Sequence, residues 1–392
     1  MFREIGALVL TAFLLTGCAS AEGVKKNQAV SDEDVKYLTA AMDLAQTART
    51  HFIFAEEMRN DALDAFAAFD NASVLIALAD DVHNDEADFA VFEAAANEER
   101  ATLRARLQAS TQKLDELGEV ISAFPDSARP DALALIDRVK AFREDAVANA
   151  ENLLDIFTPY AQGDPDALGE DADRLLNENM RPFLYEYADI VAESYAYEQA
   201  RIVDISGGLQ RPLMFGTQAE YVDLLRLQSK SFAEILRSAF SQPCEDGVRT
   251  IPSGLESGFP GDGDIDRLVS GLDKTASGFG LLAISSNGQL ANGFQAYMKQ
   301  IAFVQDTKDA IRIHEDMRLA VYEEFFSMIR SPEFSVCDLS AEDPFKLDLF
   351  EVLNEILFPD ELNADRADIR REYYDSALEY YRGQLAGLAK AE

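Results

Sequence analysis

Hydrophobic residues recur every three or four positions along most of this chain, which is the spacing of one face of an α-helix. The first such series begins at Val35 and continues through Phe66 for many turns. Two polar stretches, Asp70–Asn71 and the "DDVHND" sequence at 80–85, are candidate interruptions. The pattern therefore predicts a long amphipathic helix that ends at one or both of these stretches.

Turn residues divide the following helices. A second series begins at Phe89 and stops at Phe124, where "FPDSARPD" follows. Pro130 suits the first turn of a third helix, because proline lacks the N–H that would be unpaired there. A fourth helix, kinked at Pro182, is expected to end near Ser206. Four long helices with short connections predict an up-and-down bundle.

The second half of the chain is also predicted to be mainly helical, with one irregular region. Residues 207–216, "GGLQRPLMFG", form the best candidate for an elbow between two units, and 242–288 are rich in Gly, Ser, Pro and Asp. We therefore predict an all-α protein with two bundles of long antiparallel helices, residues 31–206 and 217–392. One long irregular loop, 242–288, would lie in the second half.

The first 30 residues do not fit the helical body. Residues 5–16 are a short apolar run, which suits the h-region of a signal peptide and is too short to span a bilayer comfortably. We assign residues 1–17 to a signal peptide and 18–30 to a tether. An ordinary secretory signal with an incidental cysteine is the alternative.

The end of this segment resembles a bacterial lipobox, with Leu15, Thr16 and Gly17 ahead of Cys18. That resemblance implies cleavage before Cys18 and acylation of the cysteine, and two or more acyl chains anchor a protein stably to a membrane. No Asp follows at the second position after Cys18. The resemblance thus implies a lipid-anchored protein of the outer membrane that faces the periplasm.

The net charge of the protein limits the kinds of molecule that it can bind. Asp and Glu number 71 against 35 Lys and Arg, which gives a net charge of −36. Such a protein repels nucleic acid and anionic lipid head groups and favours basic partner surfaces. With no Trp and only three His, the chain offers few general acid–base candidates.

Two cysteines remain after the signal peptide, Cys244 and Cys337. An even number of cysteines in an oxidising compartment favours a disulfide. Two free structural thiols are the alternative.

One acidic segment, "GDGDIDRLVSGLD", has the spacing of a calcium-binding loop. Positions 1, 3, 5, 9 and 12 would be Asp262, Asp264, Asp266, Ser270 and Asp273. Arg267 stands at position 6, where such a loop needs Gly. A solvated acidic turn with no cofactor is therefore favoured, and calcium binding is the alternative.

A second candidate metal site combines His83 and Glu86 with the neighbouring aspartates, at helical spacing. An acidic helix junction with one imidazole is the favoured interpretation. Paired tyrosines recur near helical spacing, and we expect packing at the edge of the core rather than a ligand cage. They are Tyr185, Tyr187, Tyr195 and Tyr197, and Tyr373, Tyr374, Tyr380 and Tyr381.

Three classes of function fit these observations. The favoured one is a non-enzymatic, lipid-anchored envelope protein whose helices bind a protein partner or scaffold an assembly. The second is a periplasmic lipoprotein that binds cations or another ligand. The third is a hydrolase with paired carboxylates, but no nucleophile, phosphate loop or Cys–His pair has a recognisable spacing.

Overall fold

The computed structural model describes residues 32–164, 167, 181–207, 215–245, 248–271 and 360–389, and most of 308–330. In that last part, the described residues are 308–313, 315–320, 322–323, 325–327 and 329–330. The helical residues between 308 and 327 are called the 308–327 segment below.

The chain is all-α, as the sequence predicts, and its helices pack as bundles. The long helices are α1 (Asp32–His83), α2 (Phe89–Ile121), α3 (Arg129–Ala161), α4 (Arg181–Gly207), α5 (Phe215–Phe240) and α7 (Asp360–Ala389). Residues 262–271 form the shorter helix α6.

Helix α1 corrects one prediction and confirms another. It runs without a break through Asp70–Asn71, so the interruption predicted there is wrong. Long helical flanks rich in alanine favour continuing a helix over ending it and starting another, because starting a helix is costly. The helix ends at His83, within the second predicted interruption, and Asp85 there has a φ of +62°.

Helices α2 and α3 begin where the sequence predicts, and α2 ends at Ile121, before the predicted stop at Phe124. Asp88 caps α2, since its side chain accepts a hydrogen bond of 2.9 Å from the Ala90 N–H. Pro130 lies in the first turn of α3, as predicted. This helix continues to Ala161.

The loop predicted over 242–288 contains regular structure in its described part. Strands β1 (Cys244–Glu245) and β2 (Val248–Arg249) pair in antiparallel fashion, and a 3-10 turn covers Leu255–Gly258. Helix α6 follows, so residues 262–271 are not irregular. Residues 272–288 lie outside the described part of the chain.

The described hydrophobic core forms two clusters, and α1 contributes to both. The first takes α1 residues from Phe54 to Val82, together with α2, α3, and parts of α4 and α5. The second takes α1 residues from Ala41 to Phe52, with parts of α4 and α5, helix α6 and helix α7. Each cluster therefore includes residues from both sides of the predicted 207–216 elbow. Residues 208–214 are not described, and the predicted domain boundary stays a prediction.

Candidate binding site between the two cores

Four charged side chains lie where the two hydrophobic clusters meet on α1. We call them the arginine–glutamate cluster: Glu56 and Arg59 from α1, Glu198 from α4 and Arg370 from α7. The side chains of Arg59, Glu198 and Arg370 are 7%, 0% and 1% exposed, so this is an ionic group inside the protein. Three helices that are far apart in sequence are needed to assemble it.

Each arginine contacts both glutamates. The Arg59 Nη2 atom lies 2.6 Å from Glu56 Oε2 and 3.3 Å from Glu198 Oε2. Arg370 donates from Nη2 to the same Glu198 oxygen, and its Nη1 atom lies 3.8 Å from Glu56 Oε2. The cluster therefore alternates positive and negative groups, and Glu198 joins two guanidinium groups.

Aromatic rings complete the surroundings of the two guanidinium groups. The Arg59 guanidinium lies 4.2 Å from the centre of the Tyr195 ring, and that of Arg370 lies 4.7 Å from the centre of the Phe52 ring. Cation–π contacts of this kind strengthen when the cation is removed from water. The rings thus compensate part of the hydration that both arginines lose.

The cluster is charged in the folded state. Burial alone would raise the pKa of Glu56, but Arg59 and Arg370 hold this pKa below its usual value. Burial would lower the pKa of Arg370, and Glu198 is the main group that raises it instead. Glu56 and Arg370 are therefore both held in their ionised forms.

Charges in a protein interior are costly unless each polar atom has a partner. Within the part of the chain that the structure describes, Glu198 Oε1 and Arg370 Nε are buried and accept or donate no hydrogen bond. The cluster is consequently balanced in charge but incompletely paired in hydrogen bonds. Incomplete pairing of this kind in a folded protein calls for an explanation such as water or a ligand.

A second polar group lies nearby, between α5 and the 308–327 segment. Gln228 donates a hydrogen bond of 2.9 Å to Glu315, and the Tyr221 hydroxyl lies 3.4 Å from the same carboxylate. Arg318, whose side chain is also buried, donates from Nε to the Tyr322 hydroxyl at 3.3 Å. Both polar groups therefore depend on the second half of the chain.

A cavity of about 50 Å³ adjoins the arginine–glutamate cluster. This volume accommodates about four water molecules or a ligand of a few non-hydrogen atoms. Its described lining is Glu56, Arg59, Asn60, Leu63, Tyr187, Ala188, Val191, Tyr195, Ser229, Phe232, Arg318, Tyr322, Ala367 and Arg370. Charged groups and apolar side chains thus meet at one small space, as in many ligand sites.

The sequence pattern does not identify these residues as a site, although three of them carry a detectable signal. Arg59 stands in the apolar series Ala55, Ala62 and Phe66, where a hydrophobic residue is expected. Glu198 and Arg370 occupy equivalent positions in α4 and α7. A charged residue on the buried face of a helix indicates a partner inside the protein, but it does not identify the partner.

The predicted calcium loop has a different local structure. Asp262, Asp264, Asp266 and Ser270 all lie in helix α6, and Asp273 is outside the described residues. Asp264 forms an ion pair with Arg267, and Asp266 with Arg312. Among the described residues, no group of three His, Cys, Asp or Glu side chains is placed to hold a metal ion. The segment that we expected to be an acidic turn is therefore helical over 262–271, and calcium binding stays the less favoured prediction.

His83 is held by α3. Its ring stacks on Tyr160 with ring centres 4.2 Å apart, and Nδ1 lies 3.0 Å from the Tyr160 carbonyl oxygen. The Tyr160 hydroxyl in turn donates a 2.9 Å hydrogen bond to Asp80. Glu86 is exposed in the turn after α1. These contacts give His83 a packing role at the end of α1, and metal binding by His83 and Glu86 stays a prediction.

The tyrosine pairs pack mainly into the core. Six of the eight are buried, and Tyr185 and Tyr380 are half-buried. Of the buried ones, Tyr187 and Tyr195 also line the cavity. Packing was therefore the right expectation, and two of the rings are in addition within reach of a bound molecule.

The cysteine predictions concern residues that the structure does not describe in full. Cys18 and Cys337 lie outside the described residues, as does the side chain of Cys244. Lipidation of Cys18 and a Cys244–Cys337 disulfide both stay predictions. None of the described helices is long and apolar enough to cross a membrane.

We compared the chain with protein families, curated proteins and solved structures. No protein-family model matches it, and no curated protein or solved structure is significantly similar to it.

Proposed function

We propose that this chain is a lipid-anchored envelope protein that faces the periplasm and binds a protein partner through its acidic helical surface. The lipobox-like sequence at Cys18 supports the anchor. The exposed side of α2 carries the interaction part of the proposal. Outer-membrane location follows from the residues after Cys18 and is part of the same proposal.

Helix α2 is available for a partner because the fold uses little of it. Only five of its 33 residues are buried. Three of its basic residues are engaged by carboxylates of α1 and α3: Lys113 by Glu57, Arg100 by Asp155 and Arg104 by Glu151. The exposed Glu93, Glu98 and Glu119 remain on the outside. A basic partner surface complements such a helix.

Charge removal on α2 tests the interaction. We expect Glu93→Gln, Glu98→Gln and Glu119→Gln together to reduce crosslinking of the partner in intact cells. Asp137→Asn, Glu144→Gln and Asp145→Asn on α3 remove the same number of exposed charges and serve as the control. Equal crosslinking by the α2 variant and the wild type, or equal losses in both variants, would contradict a partner on α2.

The anchor has its own test. Cys18→Ser removes the acceptor of the lipid, so the protein should lose palmitate labelling and leave the membrane fraction. Cys244→Ser, which alters a different cysteine, should keep both properties. Unchanged labelling and unchanged fractionation of the Cys18 variant would show that the apolar segment is not a lipoprotein signal.

A second proposed function is the binding of a small ligand, and the cavity beside the arginine–glutamate cluster favours it. Its lining combines ionised groups with aromatic and aliphatic side chains. Ala188 lines the cavity and is buried, so Ala188→Leu should reduce the space without altering a charge. Native mass spectrometry of the protein purified from its own cells should show a small added mass that the variant lacks. An identical mass for both would speak against a ligand.

A further inference from the structure

We propose that the cavity beside the arginine–glutamate cluster binds a small aliphatic monocarboxylate. The inference rests on the ligand-binding function proposed above and specifies the chemical class of the ligand. Charge, an unpaired donor and the apolar wall of the cavity each contribute a separate argument.

The charged groups that line the cavity are mainly positive. Arg59, Arg318 and Arg370 supply three guanidinium groups, and Glu56 is the only carboxylate among the described lining residues. Glu198 lies behind this surface, with no exposure to solvent, and neutralises part of the charge of Arg59 and Arg370. Guanidinium groups therefore outnumber carboxylates among the described lining residues, which suits an anionic hydrogen-bond acceptor, and Glu56 opposes a second negative charge.

One of the arginines that line the cavity has an unpaired hydrogen-bond donor. Arg370 uses its two Nη atoms towards Glu198 and Glu56, whereas Nε is buried and makes no hydrogen bond to any residue the structure describes. A buried N–H without an acceptor is unfavourable. A carboxylate oxygen is the acceptor that a guanidinium group binds most effectively. A bound carboxylate would therefore complete the hydrogen bonding of Arg370.

The remaining wall suits an aliphatic tail. Leu63, Ala188, Val191 and Phe232 are apolar members of the lining. A free phosphate or sulfate ion would leave these apolar groups without a complementary partner. The cavity of about 50 Å³ limits the tail to a few carbon atoms. Acetate, propionate and butyrate are of this size.

Propionate and propionamide provide a matched pair of probes, because they have nearly the same shape and only propionate is charged. We expect propionate to bind the full-length protein in isothermal titration calorimetry and to raise its melting temperature. Sodium chloride at equal ionic strength corrects for salt. Propionamide should bind at least about tenfold more weakly, since it lacks the charge that strengthens the hydrogen bonds.

Two variants locate the binding. Ala188→Leu should abolish propionate binding by occupying the space while keeping every charge. Arg370→Lys should weaken binding about tenfold or more, because lysine keeps the charge but lacks the guanidinium fork. Arg143→Lys is the control: Arg143 is also a buried arginine with a carboxylate partner, Asp61, and it does not line the cavity. This control should bind propionate as the wild type does.

The possible failures are distinguishable. Equal binding of propionate and propionamide that disappears in Ala188→Leu would retain a ligand site and overturn the carboxylate. Binding of phosphate without propionate would overturn it as well. No binding of either probe, or unchanged propionate binding in Ala188→Leu, would overturn the inference. The ligand-binding function itself would fall only if the native protein also carried no added mass.

Discussion

Helices α2 and α3 are both 33 residues long and pack against each other, yet the fold uses them differently. Five residues of α2 are buried, compared with fourteen of α3. The buried positions of α3 recur along its whole length, whereas α2 has none between Leu103 and Leu114. The two helices thus have different roles despite their equal length: α3 is part of the core, and α2 covers it.

Polar contacts hold the middle of α2 where buried apolar residues are missing. Arg143 of α3 donates from Nη2 to the carbonyl oxygens of Arg106 and Leu107, at 3.1 and 3.2 Å. Ser110 of α2 donates a 2.5 Å hydrogen bond to Asp61 of α1, which lies 3.5 Å from Arg143 Nε. One buried ion pair therefore connects three helices. The comparison shows that an exposed helix can be fixed by a few polar contacts.

The largest effect is expected from breaking this ion pair. Asp61→Ala leaves the Arg143 charge buried without its carboxylate, which should lower the free energy of unfolding by about 3–5 kcal/mol in urea denaturation. Combining Asp61→Leu with Arg143→Met removes both charges and should be less damaging than Asp61→Ala alone. If the double variant were the less stable, the pair itself would be stabilising the helix contacts.

The second-largest effect is expected from core packing, which should distinguish α3 from α2. Leu154 of α3 is 1% exposed, and Leu154→Ala should cost about 2–5 kcal/mol through lost burial and the cavity left behind. Val120 of α2 is 51% exposed, and Val120→Ala should change stability by less than about 0.5 kcal/mol. Thermal and urea denaturation check both. Similar losses at the two positions would mean that α2 is covered in solution.

Acid should weaken the connection between α2 and α3. His51 of α1 packs edge-to-face on Phe124 in that connection, and its Nδ1 lies 2.8 Å from the Tyr197 hydroxyl. Burial, followed by the charge of Arg201, lowers the pKa of His51 to about 4. Because the unfolded state takes up this proton near pH 6.5, stability should fall as pH decreases from there towards 4, by about 1–3 kcal/mol.

Substitution of the histidine checks the origin of that pH dependence. His51→Gln removes the titrating group, so its unfolding free energy should change less between pH 6.5 and pH 4 than that of the wild type. His83→Gln is the control, since His83 is half-buried and its ring stacks on Tyr160 in a different part of the fold. An unchanged slope in His51→Gln would assign the acid sensitivity to other groups.

The smallest expected effect concerns one hydroxyl. Ser110→Ala removes the hydrogen bond to Asp61 while Arg143 keeps its carboxylate, which should cost about 1 kcal/mol. The neighbouring Thr111 hydroxyl donates to the Leu107 carbonyl of its own helix, so Thr111→Ala should be nearly neutral. A larger loss of stability in Thr111→Ala than in Ser110→Ala would show that the Ser110 hydroxyl is not one of the contacts that fix α2.

Helix positions were the part of the fold that the sequence predicted best, because local residues determine them. Pro130 and the polar residues at 80–85 act through the backbone of their own segment, and the structure has helix ends at both. Asp70–Asn71 do not interrupt α1 as predicted, because helix continuation depends on the long flanks as well as on two residues.

The candidate site was missed because it depends on pairing between distant segments. Glu56 and Arg59 are close in sequence, but Glu198 and Arg370 join them only after α4 and α7 pack on α1. The apolar spacing predicts which face of a helix is buried. It does not predict which helix covers that face, so the partners of a buried charge are not evident.

The order in which the protein folds depends on α1, because this helix contributes to both hydrophobic clusters. Its first turns pack against α7, near the other end of the chain, as the Arg49–Asp375 ion pair shows. During synthesis from the amino terminus, the contacts of these turns with α7 can form only after about 300 more residues have followed. Contacts so distant in sequence close slowly. The amino-terminal half of α1 therefore completes its packing late, which leaves time for a chaperone to bind there.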